Sequence, residues 1–375
     1  MRLCAMHDHP RAILLISSIP VFTRNLVWAA GQAQRSCWVM TPNRGDSWES
    51  YPHVLGVETI DQDMLVRADP QLCGFVQNFC RARGIGVVIA GDTRSSRFVL
   101  QLAPTLPTEV RCFPMCEPDL FEQMYDKWRF ASLLEELGLP APRTTLIGSA
   151  EDLEHCDTEP PLIIKPTQGE AGLGVQTVGT VHELRKLVNE RADLRKNPIV
   201  VQSYVPGSDI DLSLIADRGR CVAWTIQQYS DSGVMTFLER PDVLELGQEL
   251  VRRTGYHGVM HLDLRIDHRS GGVVFIESNP RFWGSLCYSV WSGVNFLDLG
   301  LRLMDGEDVS SRFRPVDAEC PYLAVTMSSL FRLLLGGWLG PRGLNDSQLR
   351  SWKFHHHPGV GSISEWLRQS IRRRR

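Results

Sequence analysis

Between Val259 and Ile266 the chain alternates. Met260, Leu262, Leu264 and Ile266 are apolar, while His261, Asp263 and Arg265 are polar. A period of two places those three polar side chains on one face of a β-strand. A second apolar run, Val273 to Glu277, follows the turn-forming stretch Asp267 to Gly272. A hairpin centred on Ser270 sets Asp263 directly opposite Glu277, and like charges facing each other across strands destabilise a sheet. A cation between them reverses that sign. Asn279 lies two residues past Glu277 and extends toward the same face. Oxygens from Asp, Glu and Asn suit Mg²⁺, a hard ion that takes a few protein oxygens together with nucleotide phosphates. A solvated polar face on an edge hairpin is the bland alternative. The run Glu277-Ser278-Asn279-Pro280-Arg281 argues against it by adding a cationic fork beside the acids.

A second constellation is Leu162-Ile163-Ile164-Lys165-Pro166, an apolar strand ending in a lysine, followed by a loop with Gly169, Gly172 and Gly174. Glycines admit positive φ and let backbone N–H groups approach phosphate oxygens, and the lysine adds a point charge. No Gly-Lys-Ser/Thr closes the loop, so it is not a Walker arrangement. A plain glycine-rich turn beside a surface lysine fits the pattern equally. Lys127, on a helix expected over 119–137, and the strand Val200 to Val205 running into Pro206-Gly207 with Asp209 just beyond, carry no meaning alone.

Several elements must position these groups. Residues 12–115 alternate strand-like and helix-like runs: strands at 12–18, 37–40 and 86–90, helices at 21–33 and 70–83. Such alternation predicts a small parallel sheet covered by helices, with Gly91-Asp92 at the strand edge where open α/β sheets place ligand contacts. The Gly-x-Gly-x-x-Gly fingerprint of dinucleotide sites is absent. Near residue 117 the texture changes. Asp119 and Glu122 have capping-box spacing, and Phe130, Leu133, Leu134 and Leu137 give the helix a buried stripe before Gly138 and Pro140 end it. Thr180 and Glu183 open a second capped helix. Strands are expected at 199–205, 211–215 and 221–226, and a helix at 242–254.

The bulk composition is that of an ordinary globular protein. Of 375 residues, 43% are hydrophobic and 22% charged, and the formal net charge of -3 supplies no field toward nucleic acid or anionic membrane. Ten cysteines lie scattered. The Cys112/Cys116 spacing has no second pair to complete a metal site. This usage suits a reduced, cytoplasmic protein. The apolar run Ala12 to Ile16 is too short for a signal peptide. Tyr322 to Leu339 is largely apolar but contains Arg332 and Gly336-Gly337, which favours a buried or surface-docked helix over a membrane span. The tail Arg372 to Arg375 reads as solvated, and His355-His356-His357 as a loop with exposed imidazoles.

The four pieces in this order resemble the ATP-grasp superfamily over about residues 117–305. The resemblance implies an α/β fold: an N-terminal Rossmann-like pre-ATP-grasp domain at 1–116, then a two-subdomain ATP-grasp domain at 117–310, with a lid over about 127–205 and a metal-binding floor over about 206–310. Residues 311–375 form an extension without an assigned role. It further implies that Lys127 and Lys165 contact ATP phosphate under the loop of Gly169, Gly172 and Gly174. Gln202, Ser203, Tyr204 and Val205 fall where adenine lies, and Asp209 where an acid holds the ribose. Asp263, Glu277 and Asn279 match the ligands of Mg²⁺, for which Mn²⁺ can substitute. Arg281 matches the arginine of an Asn-x-Arg motif that steadies the transferred phosphate, so Arg281 and Lys165 are the expected catalytic residues. Gln202 and Asp263 depart from the Glu that many relatives carry. The segment Asn279 to Leu286 is most similar to carboxylate–amine ligase-like members. The implied activity is activation of a carboxylate as an acyl phosphate and its coupling to an amine. An ATP-binding scaffold without turnover, or a phosphoryl transferase, are the competing readings. Expected partners are small-molecule carboxylate and amine substrates, with no nucleic acid and no membrane span, and with a homodimer left open. Whether His261 and Arg265 touch substrate is left open too.

Overall fold

A computed structural model describes residues 11–43, 48–156, 158–170, 172–191, 193–229, 234–311, 313 and 318–321. Tyr322 to Leu339, the three consecutive histidines and the arginine tail lie outside the described residues. The chain divides into two compact units. Of the described residues, the first takes those within 11–115, 234–237 and 281–321, and the second those within 116–229 and 238–280.

In the first unit, β1 (Ala12–Ile16), β2 (Cys37–Thr41), β3 (Val54–Thr59), β4 (Ile85–Ala90) and β5 (Arg111–Cys112) form a parallel sheet in the order β3-β2-β1-β4-β5. The helices between them are α1 (Pro20–Gln32), α2 (Gln62–Val66), α3 (Pro70–Arg83) and α4 (Thr93–Leu102). β1 and β4 are buried because parallel strands are covered on both faces, which explains their unbroken apolar runs. β3 carries no such run, whereas α4 buries Phe98, Val99 and Leu102 at helical spacing behind its Asp92 cap. Asp92 is buried and fully engaged. It caps α4 by accepting from the Ser95 N–H at 3.1 Å, and it also accepts from Ser17 Oγ at 3.0 Å and from the Ser18 N–H and hydroxyl. The strand-edge acid expected to meet ligand therefore serves to tie the β1 and β4 ends together.

The second unit opens with α5 (Pro118–Tyr125) and α6 (Lys127–Glu136). The single helix expected over 119–137 is broken at Asp126, whose backbone is extended and whose carboxylate accepts from the Trp128 and Arg129 N–H groups. A buried stripe continues across such a break, so periodicity does not reveal it. Asp119 sits in the first turn of α5 and makes no capping box; the N-cap is Glu117, without a side-chain bond. Next come β6 (Thr144–Ile147), β7 (Leu162–Pro166), β8 (Gln176–Val178), α7 (Val181–Glu190) and β9 (Ile199–Ser203). These strands pair in the order β6-β9-β7-β8, and α7 seats Leu184 and Val188 on Ile147, Leu162, Ile164, Ile199 and Val201. Thr180 caps α7 as its spacing predicts.

A second antiparallel sheet follows, built by β10 (Gly207–Asp217) and β11 (Arg220–Tyr229). The chain then visits the first unit as β12 (Val234–Phe237) and returns through α8 (Pro241–Thr254) to the hairpin of β13 (Gly258–Asp267) and β14 (Val273–Asn279). In this unit the strands lie in the order β14-β13-β10-β11, with α8 packed on β10 and β11. The first unit is completed by α9 (Leu286–Trp291), α10 (Phe296–Met304) and β15 (Ala318–Pro321), which pairs with β12. Phe282 and Trp283 are core residues there, Trp283 meeting Phe296 edge-on at 5.0 Å. Among the described residues no helix is long and apolar enough to cross a membrane.

Gly207 starts β10 where the backbone of β13 comes closest. A Cβ there would lie 1.9 Å from the Ile266 carbonyl oxygen. Gly207→Ala should lower the unfolding free energy by about 2 kcal/mol or more, since the obstacle is backbone and cannot rotate away. Urea denaturation checks this, and a loss below about 0.5 kcal/mol, the range of a neutral surface change, would contradict it.

Candidate functional site

The polar face predicted for the 259–266 strand exists and extends over four strands. Antiparallel pairing sets Asp263 opposite Glu277 on one side and opposite Asp211 on the other, with Gln227 beyond Asp211. One step along, His261 lies opposite Asn279 and Ser213, and Thr225 lies opposite Ser213. Directly opposed residues share a face. Two transverse rows therefore cross the sheet: Gln227, Asp211, Asp263 and Glu277 form one, and Thr225, Ser213, His261 and Asn279 the other. Three carboxylates stand in line where a stable sheet would avoid two.

Sequence reasoning finds the Asp263–Glu277 pair and misses Asp211, Ser213 and Gln227. The hairpin is local, so its register follows from turn length. The pairing of β10 with β13 joins residues some fifty positions apart, and no spacing announces it. The signal that was available is Asp211 itself, an acid inside the apolar run Ile210 to Ile215. The hairpin also carries a bulge. Asp263 opposes Glu277, but Leu264 opposes Phe275, so Ile276 is the extra residue. Its carbonyl accepts from Lys165 Nζ at 3.4 Å. Bulges release backbone groups beside functional sites in this way.

Two buried lysines meet these acids. Lys127 begins α6, and its Nζ lies 3.3 Å from Glu277 Oε2 while donating to the Gly169 carbonyl at 3.0 Å. Lys165 ends β7 and is 3% exposed, so neither lysine is the solvated surface cation of the bland reading. The Asp126 carboxylate also accepts from Gln168 Nε2 at 3.3 Å, and the Lys127 N–H donates to the Thr167 carbonyl, which ties α6 to the glycine loop. Gly169, Gly172 and Gly174 all adopt positive φ (148°, 68° and 77°), a backbone that other residues resist.

Charge and burial act together here. Burial pulls the Lys165 ammonium from 10.5 down to about 8; Glu277 opposes the fall, Lys127 adds to it and Asp263 opposes it. Burial pushes Glu277 up, reinforced by Asp263 and opposed by Lys127. Burial likewise pushes Asp211 up to about 6, against His261 and with Asp263. His261 Nε2 is 3.1 Å from Asp263 Oδ1, and its Nδ1 is 2.8 Å from Ser213 Oγ.

The remaining expected site residues are placed as follows. Gln202 is buried and donates to Thr144 Oγ1 at 2.9 Å. The Ser203 and Tyr204 N–H groups donate to the Arg143 and Pro161 carbonyls. Val205 offers its carbonyl to Arg265 Nε at 2.7 Å, and Arg265 also binds the Gly207 carbonyl and pairs with Asp209. Arg265 thus fastens the strand that leads into β10. Asn279 Nδ2 approaches Asp263 Oδ2 at 3.4 Å. Arg281 belongs to the first unit, where its Nε donates to Thr93 Oγ1 at 3.0 Å and its guanidinium lies over Phe22.

Two family models match parts of the chain. Residues 124–233 match the RimK-like ATP-grasp domain family, and residues 195–326 match the family described as ATP-grasp in the biosynthetic pathway with Ter operon. The arginine-specific large chain of carbamoyl phosphate synthase from Bacillus subtilis is 26% identical over 198 residues, covering 48% of this chain and 19% of that relative. The matched stretch covers about a fifth of the length of this relative and of two other carbamoyl phosphate synthase large chains. Among solved structures, an L-amino acid ligase from Bacillus licheniformis superposes with a TM-score of 0.61 at 18% identity, covering 78% of this chain and 73% of that one. N5-carboxyaminoimidazole ribonucleotide synthetase from Thermus thermophilus gives 0.58 at 16% identity, covering 77% of each chain. These two likenesses are of fold.

The Lys165 geometry has a thermodynamic consequence. Between pH 8 and 10.5 the unfolded chain holds a proton that the folded chain releases, so stability rises with pH over that window. The unfolding free energy of the wild type, minus that of Lys165→Met, should climb by a few kcal/mol from pH 8 to 10.5, at about 1.4 kcal/mol for each step of one in pH. Paired denaturant titrations measure it, and a flat or falling difference contradicts the buried-cation assignment.

Proposed function

Because the chain belongs to the ATP-grasp superfamily, we propose that it is an ATP-dependent carboxylate–amine ligase, which activates a carboxylate as an acyl phosphate and joins it to an amine with release of ADP and phosphate. The observation that carries this reading is the row of opposed carboxylates with two buried lysines against it. In the assignment, Asp263, Glu277 and Asn279 would hold Mg²⁺. Their donors are the hard oxygens that ion takes, and the repulsion between Asp263 and Glu277 is what a divalent cation would relieve. The ion supplies charge neutralisation on the triphosphate.

This chain's own residues do the rest. Lys127 and Lys165 are withdrawn from water, so their charges act on phosphate with little screening. Gly169, Gly172 and Gly174 present backbone N–H groups to phosphate oxygens. The stretch Gln202, Ser203, Tyr204 and Val205 takes adenine, and Asp209 the ribose, with Arg265 holding that stretch in place. For Arg281 the support is its position two residues after Asn279, in the Asn-x-Arg order, as the group that steadies the acyl phosphate. Phosphoryl transfer of this kind rests on positioning and electrostatics more than on covalent catalysis by the protein.

Residues 1–116 are read as the Rossmann-like pre-ATP-grasp domain, consistent with the parallel order β3-β2-β1-β4-β5. Residues 127–205 are read as the lid and 206–310 as the metal-binding floor. Small-molecule substrates and a cytoplasmic location complete the proposal.

An ADP-release assay over a panel of carboxylates and amines, with mass detection of the product, tests it. Glu277→Ala and Lys165→Ala should each cut substrate-dependent ADP and phosphate release at least about a hundredfold, a loss typical of removing one transition-state charge contact. Thermal unfolding should still show a cooperative fold. Wild-type turnover in both variants would overturn the site. A phosphorylated product without amide would point to a phosphoryl transferase, and nucleotide binding without turnover to a scaffold.

A further inference from the structure

We propose that Asp211, His261 and Asp263 form a second divalent-cation site, distinct from the Glu277 and Asn279 side of the carboxylate row, which prefers a first-row transition ion such as Mn²⁺ to Mg²⁺. Among the described residues these three offer ligand atoms that all lie within 4.8 Å of one another. His261 Nε2 is 3.1 Å from Asp263 Oδ1 and 4.0 Å from Asp211 Oδ2. Metal–ligand bonds of about 2.1 Å put neighbouring ligand atoms about 3 Å apart in an octahedron and opposite ones about 4.2 Å apart. The two separations from His261 Nε2 fall inside that window.

The surroundings are those of a metal-binding histidine. Ser213 Oγ lies 2.8 Å from His261 Nδ1. A ring that donates from Nδ1 to this oxygen turns the Nε2 lone pair toward the two acids, the arrangement that fixes imidazole ligands elsewhere. Gln227 Nε2 donates to Asp211 Oδ2 at 3.2 Å and holds that carboxylate in place. Asp263 can serve both sides of the row because its oxygens diverge: Oδ1 meets His261, while Oδ2 meets Asn279 at 3.4 Å. The imidazole makes the difference in selectivity. Mg²⁺ takes oxygen and water, whereas first-row transition ions accept nitrogen readily. The site goes beyond the ligase reading and needs no nucleotide.

The experiment uses the untagged, nucleotide-free full chain titrated with Mn²⁺ or Mg²⁺ by calorimetry, and pulsed electron paramagnetic resonance on the Mn²⁺-loaded protein. The expected result is one Mn²⁺ bound at least about tenfold more tightly than Mg²⁺, with modulation from one imidazole nitrogen. His261→Asn should abolish the modulation, and His261→Asn and Asp211→Asn should each weaken Mn²⁺ at least about tenfold. Glu277→Gln should lose ligase turnover yet keep the nitrogen signal, which separates this site from the nucleotide-linked one. Bound Mn²⁺ without nitrogen modulation in the wild type overturns the proposal, and that arm needs no variant to fold. Modulation that survives in His261→Asn, or equal affinity for both ions, overturns it as well. Wild-type turnover in Glu277→Gln with the signal intact would count against the ligase site alone.

Discussion

Three carboxylates standing opposite one another on adjacent strands are the constraint from which the rest of the second unit follows. Asp211, Asp263 and Glu277 share one transverse row of a half-buried sheet face. Such a row is unfavourable unless positive charge is supplied, because each neighbour disfavours ionisation of the next. The protein supplies part of it. Lys127 pairs with Glu277, and Lys165 lies behind the bulge at Ile276. The remainder is what bound cations would contribute.

The elements around this row are arranged to deliver those charges. Asp126 breaks what would be one helix so that Lys127 can begin another, and the same carboxylate binds Gln168 of the glycine loop. β7 carries Lys165 at its end, and the loop that follows uses positive φ at each of its glycines. Arg265 spends its guanidinium on the Val205 and Gly207 carbonyls and on Asp209. These contacts fasten the backbone that leads into β10. The depressed Lys165 and elevated Glu277 and Asp211 are one electrostatic system seen from three positions. Lys165 reaches this system from β7, while Asp211 and Glu277 belong to β10 and β14.

The hairpin, its acidic opposition and the glycine loop are legible in the sequence because each depends on local spacing. Period two separates Asp263 from Leu264, and a short turn sets Glu277 against Asp263. What spacing cannot carry is which distant strand lies beside β13, and so Asp211, Ser213 and Gln227 escape it. The helix break at Asp126 is hidden because Phe121 and Met124 before it and Phe130, Leu133 and Leu134 after it are all buried. The place of Asp92 after β4 suggests a ligand-facing acid, whereas its hydrogen bonds to Ser17, Ser18 and Ser95 consume it. Arg281 follows Asn279 closely in sequence, yet it packs in the first unit against Thr93 and Phe22. A site residue's chemistry is written in its type; its neighbours are decided by pairing over long separations.

The most direct test of the carboxylate row is the metal dependence of nucleotide binding. Affinity for a non-hydrolysable ATP analogue should be measured by calorimetry in Mg²⁺ and in excess chelator, for the wild type and for Asp263→Asn. The account predicts binding at least about tenfold tighter with Mg²⁺ in the wild type, and a much smaller difference once the charge of Asp263 is removed. Equal affinity with and without Mg²⁺ in the wild type, or an unchanged Mg²⁺ effect in Asp263→Asn, would contradict it.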